Sequence, residues 1–119
     1  MTATAQDLVG RARATLSSSH TDRNRMACWL ARTALEAAVD DLLAARDLDA
    51  GRANMRSRLT CLQAAYEGTD VPARVEYAWS RLSEACHQHA YKLSPTFAET
   101  AHLIATVDAM IGAHVDQRK

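Results

Sequence analysis

The sequence predicts an all-α fold, a single five-helix antiparallel bundle occupying residues 1–119. Three observations predict it. Alanine, the strongest helix former, is abundant. Apolar residues recur at helical spacing in successive stretches of the chain. Between those stretches stand Ser, Asp, Gly and Pro, the residues that cap or interrupt helices.

A chain of 119 residues suffices for one domain with one core. Its 48% apolar and 24% charged residues are a globular composition, not a disordered one. The 14 basic and 14 acidic residues cancel. Bulk charge therefore does not draw the chain to nucleic acid or membrane, and any such contact must be a local patch. No leader of the charged, apolar and small-residue kind is read at the N-terminus. No apolar run approaches the ~20 residues that span a bilayer; the long stretch from Met26 to Ala45 is broken by Arg32, Glu36, Asp40 and Asp41. Cys28, Cys61 and Cys86 are odd in number and far apart, which points to a reduced, cytoplasmic setting.

The first helix is expected over residues 4–17, with Ala5, Leu8, Val9, Ala12 and Leu16 inward. Ser17, Ser18 and Ser19 compete for backbone hydrogen bonds and should end it. Thr21 or Asp22 can cap the second helix, expected from Arg23 to Arg46. Its polar residues Arg25, Arg32, Glu36 and Asp40 form one narrow stripe. Nearly all the remainder, including Met26, Cys28, Trp29, Leu30, Leu35, Val39, Leu42 and Leu43, is apolar or small. Such a helix is buried on more than one side, as a central helix or as one that also meets a second subunit.

Asp47 to Gly51 supplies the next break. A third helix is expected from Arg52 to Glu67, with Met55, Leu59, Leu62 and Tyr66 inward. Arg52, Arg56 and Arg58 make its first half basic, which reads as a solvated face or as a phosphate contact. Gly68-Thr69-Asp70 is a turn, and Pro72 suits a first helical turn. The fourth helix is expected from Pro72 to Tyr91, with Val75, Ala78, Trp79, Leu82, Ala85, Cys86 and His89 inward. Lys92-Leu93 is a corner. The fifth helix starts at Ser94-Pro95 or at Thr96, where Thr96 and Glu99 form a capping box, and runs to Val115. Phe97, Ala101, Ile104, Val107, Ile111 and Val115 are its inward stripe. Asp108 shares that stripe. An antiparallel fourth and fifth helix would bring it near Ala78 and Trp79, with the Trp79 indole N–H as its donor. His89, Asp108 and Trp79 are thus read as structural polar residues.

On a wheel of about 100° per residue, Arg81 lies to one side of the inward stripe with Arg74, Tyr77 and Gln88. His87 lies on the other side with Ser83 and Glu76, facing outward. One helix cannot bring Arg81 and His87 to a single atom, but two copies meeting across a two-fold axis can. This Arg-x5-His spacing on a late helix, together with the alanine- and leucine-rich stretch from Arg32 to Leu43, resembles the HEPN superfamily. The resemblance implies a dimerising four- or five-helix bundle. It further implies metal-independent RNA cleavage or nucleotide handling of a toxin or defence kind. Arg81 would then hold the scissile phosphate, and His87 would act as base on the ribose 2′-OH or acid to the leaving oxygen. Arg74, Tyr77, Ser83 and Glu84 are the candidate substrate contacts. The sequence departs from the pattern at Leu82, where active members usually have a polar residue.

Two competing readings use the same stretch. Cys86 and His89 have a spacing that can chelate, with His87 as a third candidate, but a closed zinc site needs about four ligands and Cys28 and Cys61 would have to converge. Buried apolar cysteines are the simpler expectation, with no metal and no cofactor. His102 and His114 are read as surface residues. The alternative function is a non-enzymatic helical dimerisation or adaptor module, binding a second copy or a protein partner, whose histidines are structural.

Overall fold

A computed structural model describes residues 3–49, 51, 53–87 and 95–112 of the chain. Five α-helices and no strand are found among them: α1 Ala5–Leu16, α2 Arg23–Ala44, α3 Met55–Ala65, α4 Val71–Cys86 and α5 Phe97–Met110. The predicted all-α bundle is present.

Each helix begins where local chemistry allows it. Thr4 and Asp7 form a reciprocal capping box on α1, and Thr96 and Glu99 form one on α5. Of the two starts expected for α5, the structure takes Thr96. Asn54 caps α3 by accepting from the Ser57 N–H, so this helix starts three residues after Arg52. Asp22 stands at the N-cap of α2 without a side-chain cap bond. Pro72 sits in the first turn of α4.

Helix α4 ends at Cys86 with His87 as its C-cap; residues 88–91, the remainder of its expected span to Tyr91, lie outside the described residues. Helix α5 stops at Met110, short of Val115, where Ile111 turns extended and Gly112 takes a φ of 81°. That left-handed backbone favours glycine and breaks the helix. The expected corner at Lys92-Leu93, the alternative start at Ser94, and His89, Arg52 and His114 lie outside the described residues.

Helix α2 is the centre, packed against every other helix. It buries Ala27, Cys28, Ala31, Ala34, Leu35, Ala38, Val39, Leu42 and Leu43. Small alanines on this stripe allow neighbouring backbones to approach, and the leucines fill the spaces between them. The predicted inward residues of α1 and α3 are all buried. Tyr66, just past α3, is 1% exposed, and its hydroxyl donates to the Leu42 carbonyl at 2.7 Å. Arg46 lies over its ring, 4.2 Å from the centroid, and donates to the Ala65 carbonyl.

Paired contacts give the helix directions. Arg81 on α4 meets Glu99 on α5, and Arg74 and Tyr77 share a groove with Thr106 and His102. Rising numbers on one helix match falling numbers on the other, so α4 and α5 are antiparallel, as expected. Asn24 donates to the Pro95 carbonyl and Cys28 lies 3.7 Å from the Thr100 hydroxyl. Those numbers rise together, so α2 and α5 run parallel.

The inward stripe of α5 is rotated from the expected one. The buried residues are Thr100, Leu103, Ile104, Val107 and Met110. Thr100 can be buried because its hydroxyl donates back to the Thr96 carbonyl at 2.9 Å. The rotation carries Phe97 outward, to 49% exposed, where Arg23 covers it at 5.5 Å. It also carries Asp108 to the edge of the helix.

Candidate functional site

Arg81 projects from the α5 side of α4. Its Nη2 donates to Glu99 Oε2 at 3.1 Å, with both side chains about half exposed. The guanidinium assigned to a scissile phosphate thus already has a carboxylate counter-ion. His87 is exposed at the end of α4, its backbone N–H donating to the Ser83 carbonyl at 3.0 Å. Neither Arg81 nor His87 lines either of two grooves in the described surface, of about 510 and 380 Å³.

The structure does bring Arg74 and Tyr77 together. With Ala73 they line a shallow groove of about 380 Å³, closed on the α5 side by His102 and Thr106. The histidine that joins these two candidate substrate contacts is therefore His102, not His87. Arg74 is itself held by Asp70 one turn earlier at 3.7 Å. Glu84 is exposed, and Ser83 is half-buried with its Oγ shielded from solvent and no hydrogen-bond partner among the described residues.

The expected pairing of Asp108 with Trp79 does not occur. Asp108 pairs instead with Arg13 of α1 at 3.1 Å. The register that sets Arg81 against Glu99 places Asp108 level with the first turn of α4, about two turns from Trp79, and the rotated stripe turns it towards α1. Trp79 is half-buried against the core and lies under Arg32, whose guanidinium carbon is 4.4 Å from the ring centroid. Trp29 flanks the same guanidinium at 6.0 Å. The Arg32 Nε is buried with no hydrogen-bond partner among the described residues, so its principal stabilising contact is with the rings.

The basic half of α3 is partly neutralised. Arg58 pairs with Asp40 at 3.5 Å and Arg56 with Glu76 at 3.7 Å. This matches the solvated face better than the phosphate contact.

Cys28 and Cys86 are buried and Cys61 is exposed. Burial raises the Cys28 thiol above its ordinary value, opposed in part by its contact with the Thr100 hydroxyl. Burial and, next, the neighbouring Cys28 push the Cys86 thiol up to about 11. A thiol kept protonated at neutral pH is a poor nucleophile and a poor metal ligand. No three His, Cys, Asp or Glu side chains among the described residues are grouped to hold a metal ion.

A second surface lies along α2. Met26 is 42% and Trp29 51% exposed within the chain, where the sequence offers burial in a central helix or against a second subunit. With Leu30 they form the apolar floor of a groove of about 510 Å³ between α1 and α2, rimmed by Arg11, Thr15, Asp22 and Arg25. The helical wheel carries the signal: at about 100° per residue Trp29 falls inside the polar stripe defined by Arg25, Arg32, Glu36 and Asp40. An apolar residue inside a polar stripe is an exposed one.

Compared with known proteins, the chain matches no family model, no curated protein and no solved structure at a significant level. No helix among the described residues is long and apolar enough to cross a membrane.

Proposed function

We propose that this chain is a non-enzymatic helical interaction module that engages its partner through the α1–α2 face. One observation carries this reading. Trp29 and Met26 stand half-exposed side by side over a groove, and tryptophan, methionine and arginine are the residue types enriched at protein interfaces. Among the other described aromatic residues, Tyr66 is buried and Trp79 is sheltered by Arg32, while Phe97 and Tyr77 are also about half exposed, Phe97 beneath Arg23 and Tyr77 in the smaller α4–α5 groove. The pairing of Arg81 with Glu99 supports the same reading, because it gives the arginine a structural duty.

A second reading is the HEPN-like ribonuclease. It is favoured by the exposure of His87 at the end of α4 and by the half-exposed state of Arg81. A phosphate could exchange for Glu99 there, and a dimer through α2 or α4 would supply the opposing His87.

The two readings separate in one experiment. A mixed RNA pool is incubated in chelator with wild type, His87→Ala and Arg81→Ala. The module reading expects equal background cleavage by all three, together with a cross-link from a photo-reactive residue at Met26 and none from one at Gln63, on the far helix. Cleavage by wild type that either substitution abolishes would overturn it in favour of the nuclease.

A further inference from the structure

We infer that the α1–α2 groove receives an acidic amphipathic helix of a partner protein; the inference rests on the interaction-module reading and names the chemistry of that partner. The argument is one of charge left unbalanced. Arg13, Arg56, Arg58, Arg74 and Arg81 each have a carboxylate within 4 Å. Arg23 and Arg46 are engaged by aromatic rings and backbone carbonyls, and Arg32 by the two tryptophans. Arg11 and Arg25 have no ion-pair partner among the described residues, and they are the two arginines that rim the Trp29–Met26 groove. Arg11 comes from α1 and Arg25 from α2, so the cations stand on separate helices about one apolar floor.

A helix laid in the groove would place one or two apolar side chains on Met26, Trp29 and Leu30. Acidic residues flanking that stripe would reach Arg11 and Arg25. This is the helix-in-groove mode of recognition, with anchors at i and i+3 or i+4. A volume of about 510 Å³ accommodates such anchors. A second copy of the same face is a poorer occupant. Two faces together would oppose four arginines with only two aspartates, both Asp22, and like-charge juxtaposition disfavours the pair.

The test uses two labelled helical peptides. One carries leucines at i and i+4 flanked by glutamates; the other is its twin with every glutamate replaced by lysine. Fluorescence anisotropy against the full chain should show binding of the acidic peptide, weakening with added salt, and little binding of the basic twin. Trp29→Ala should lower affinity at least about tenfold, as for a buried aromatic anchor. The double change Arg11→Glu and Arg25→Glu should abolish acidic-peptide binding and confer binding of the basic twin. That gain of function cannot arise from misfolding. Equal binding of both peptides, or indifference of the acidic peptide to the double charge reversal, would overturn the inference, as would no binding of either. If neither peptide binds but the chain self-associates in a Trp29-dependent way, the acidic partner is excluded while the interaction-module reading survives with a second copy as occupant. If neither binding nor Trp29-dependent association occurs, both fail.

Discussion

Arg81 and Glu99 join the end of one helix to the start of the next in space: the guanidinium reaches Oε2 at 3.1 Å while Oε1 of the same carboxylate receives the Thr96 backbone N–H at 3.4 Å. Thr96 Oγ1 in turn accepts from the Glu99 N–H at 3.0 Å. One carboxylate thus caps α5 and orients it on α4.

The two partners should therefore differ in importance. Glu99→Ala removes both a cap and an ion pair and should cost about 1–2 kcal/mol in urea unfolding. Arg81→Ala removes only the half-exposed pair and should cost at most about 1 kcal/mol, less in high salt. Equal losses for the two substitutions would contradict the dual role of Glu99.

Tyr66 offers a sharper measurement because it is buried and its partner is a backbone carbonyl. Tyr66→Phe keeps the ring under Arg46 and strands the Leu42 carbonyl, for a loss of about 1 kcal/mol. Tyr66→Ala also empties the space between α2 and α3 and should cost about 3–5 kcal/mol. Thermal or denaturant unfolding followed by circular dichroism reads both.

Arg32 sets two effects against each other. Its guanidinium gains from Trp79, and its buried Nε has no hydrogen-bond partner among the described residues. The first is worth about 0.5–2 kcal/mol and the second costs about 1–3 kcal/mol. Arg32→Met keeps the packing volume and loses both effects, so unfolding should shift by less than about 1 kcal/mol. Tryptophan emission should change with it, reporting the altered surroundings of Trp79 and Trp29.

The cysteines should divide by reactivity. At pH 8 an aromatic disulfide reagent should consume one thiol quickly, that of Cys61, and two only on unfolding. The pH dependence follows from the same burial. The Cys86 thiol is raised from 9.0 to about 11 in the folded chain. Between those values the unfolded chain has already lost the proton that the folded chain keeps, so stability falls as pH rises through that interval. Cys86→Ala should flatten the decline measured by chemical denaturation across pH 8 to 11. An unchanged slope would show that Cys86 does not contribute.

Much of the bundle is legible in the sequence. The stripes of α1, α3 and α4 are regular, and their buried residues are the apolar ones that a 3.6-residue period selects. The Thr96–Glu99 cap is legible too, because a capping box is a purely local pattern. Helix α5 departs from its expected face by a rotation. Thr100 counts as polar in a sequence pattern, yet a threonine that satisfies its hydroxyl on its own helix can be buried as a small apolar group. That one residue shifts the inward face and, with it, Phe97 and Asp108.

The candidate sites are less legible. Spacing singles out Arg81 and His87, but it says nothing about Glu99, a residue 18 positions from Arg81 that holds the arginine. His102 reads as a surface residue in sequence, and only the α4–α5 register brings it to Arg74 and Tyr77.

That the chain forms helices, where most of them begin, and which residues of α1, α3 and α4 face inward all follow from local sequence. Propensity, capping and periodicity set these properties within a few turns. Tertiary packing alone assigns Arg81 to Glu99 and Asp108 to Arg13. The helical wheel already turns Trp29 outward, but tertiary packing alone sets it and Met26 over a groove shared with Arg11 and Arg25, two arginines without an ion-pair partner among the described residues. The reason is register. A small rotation of one helix against its neighbour changes no local preference, yet it reassigns every charge and aromatic ring along the shared face.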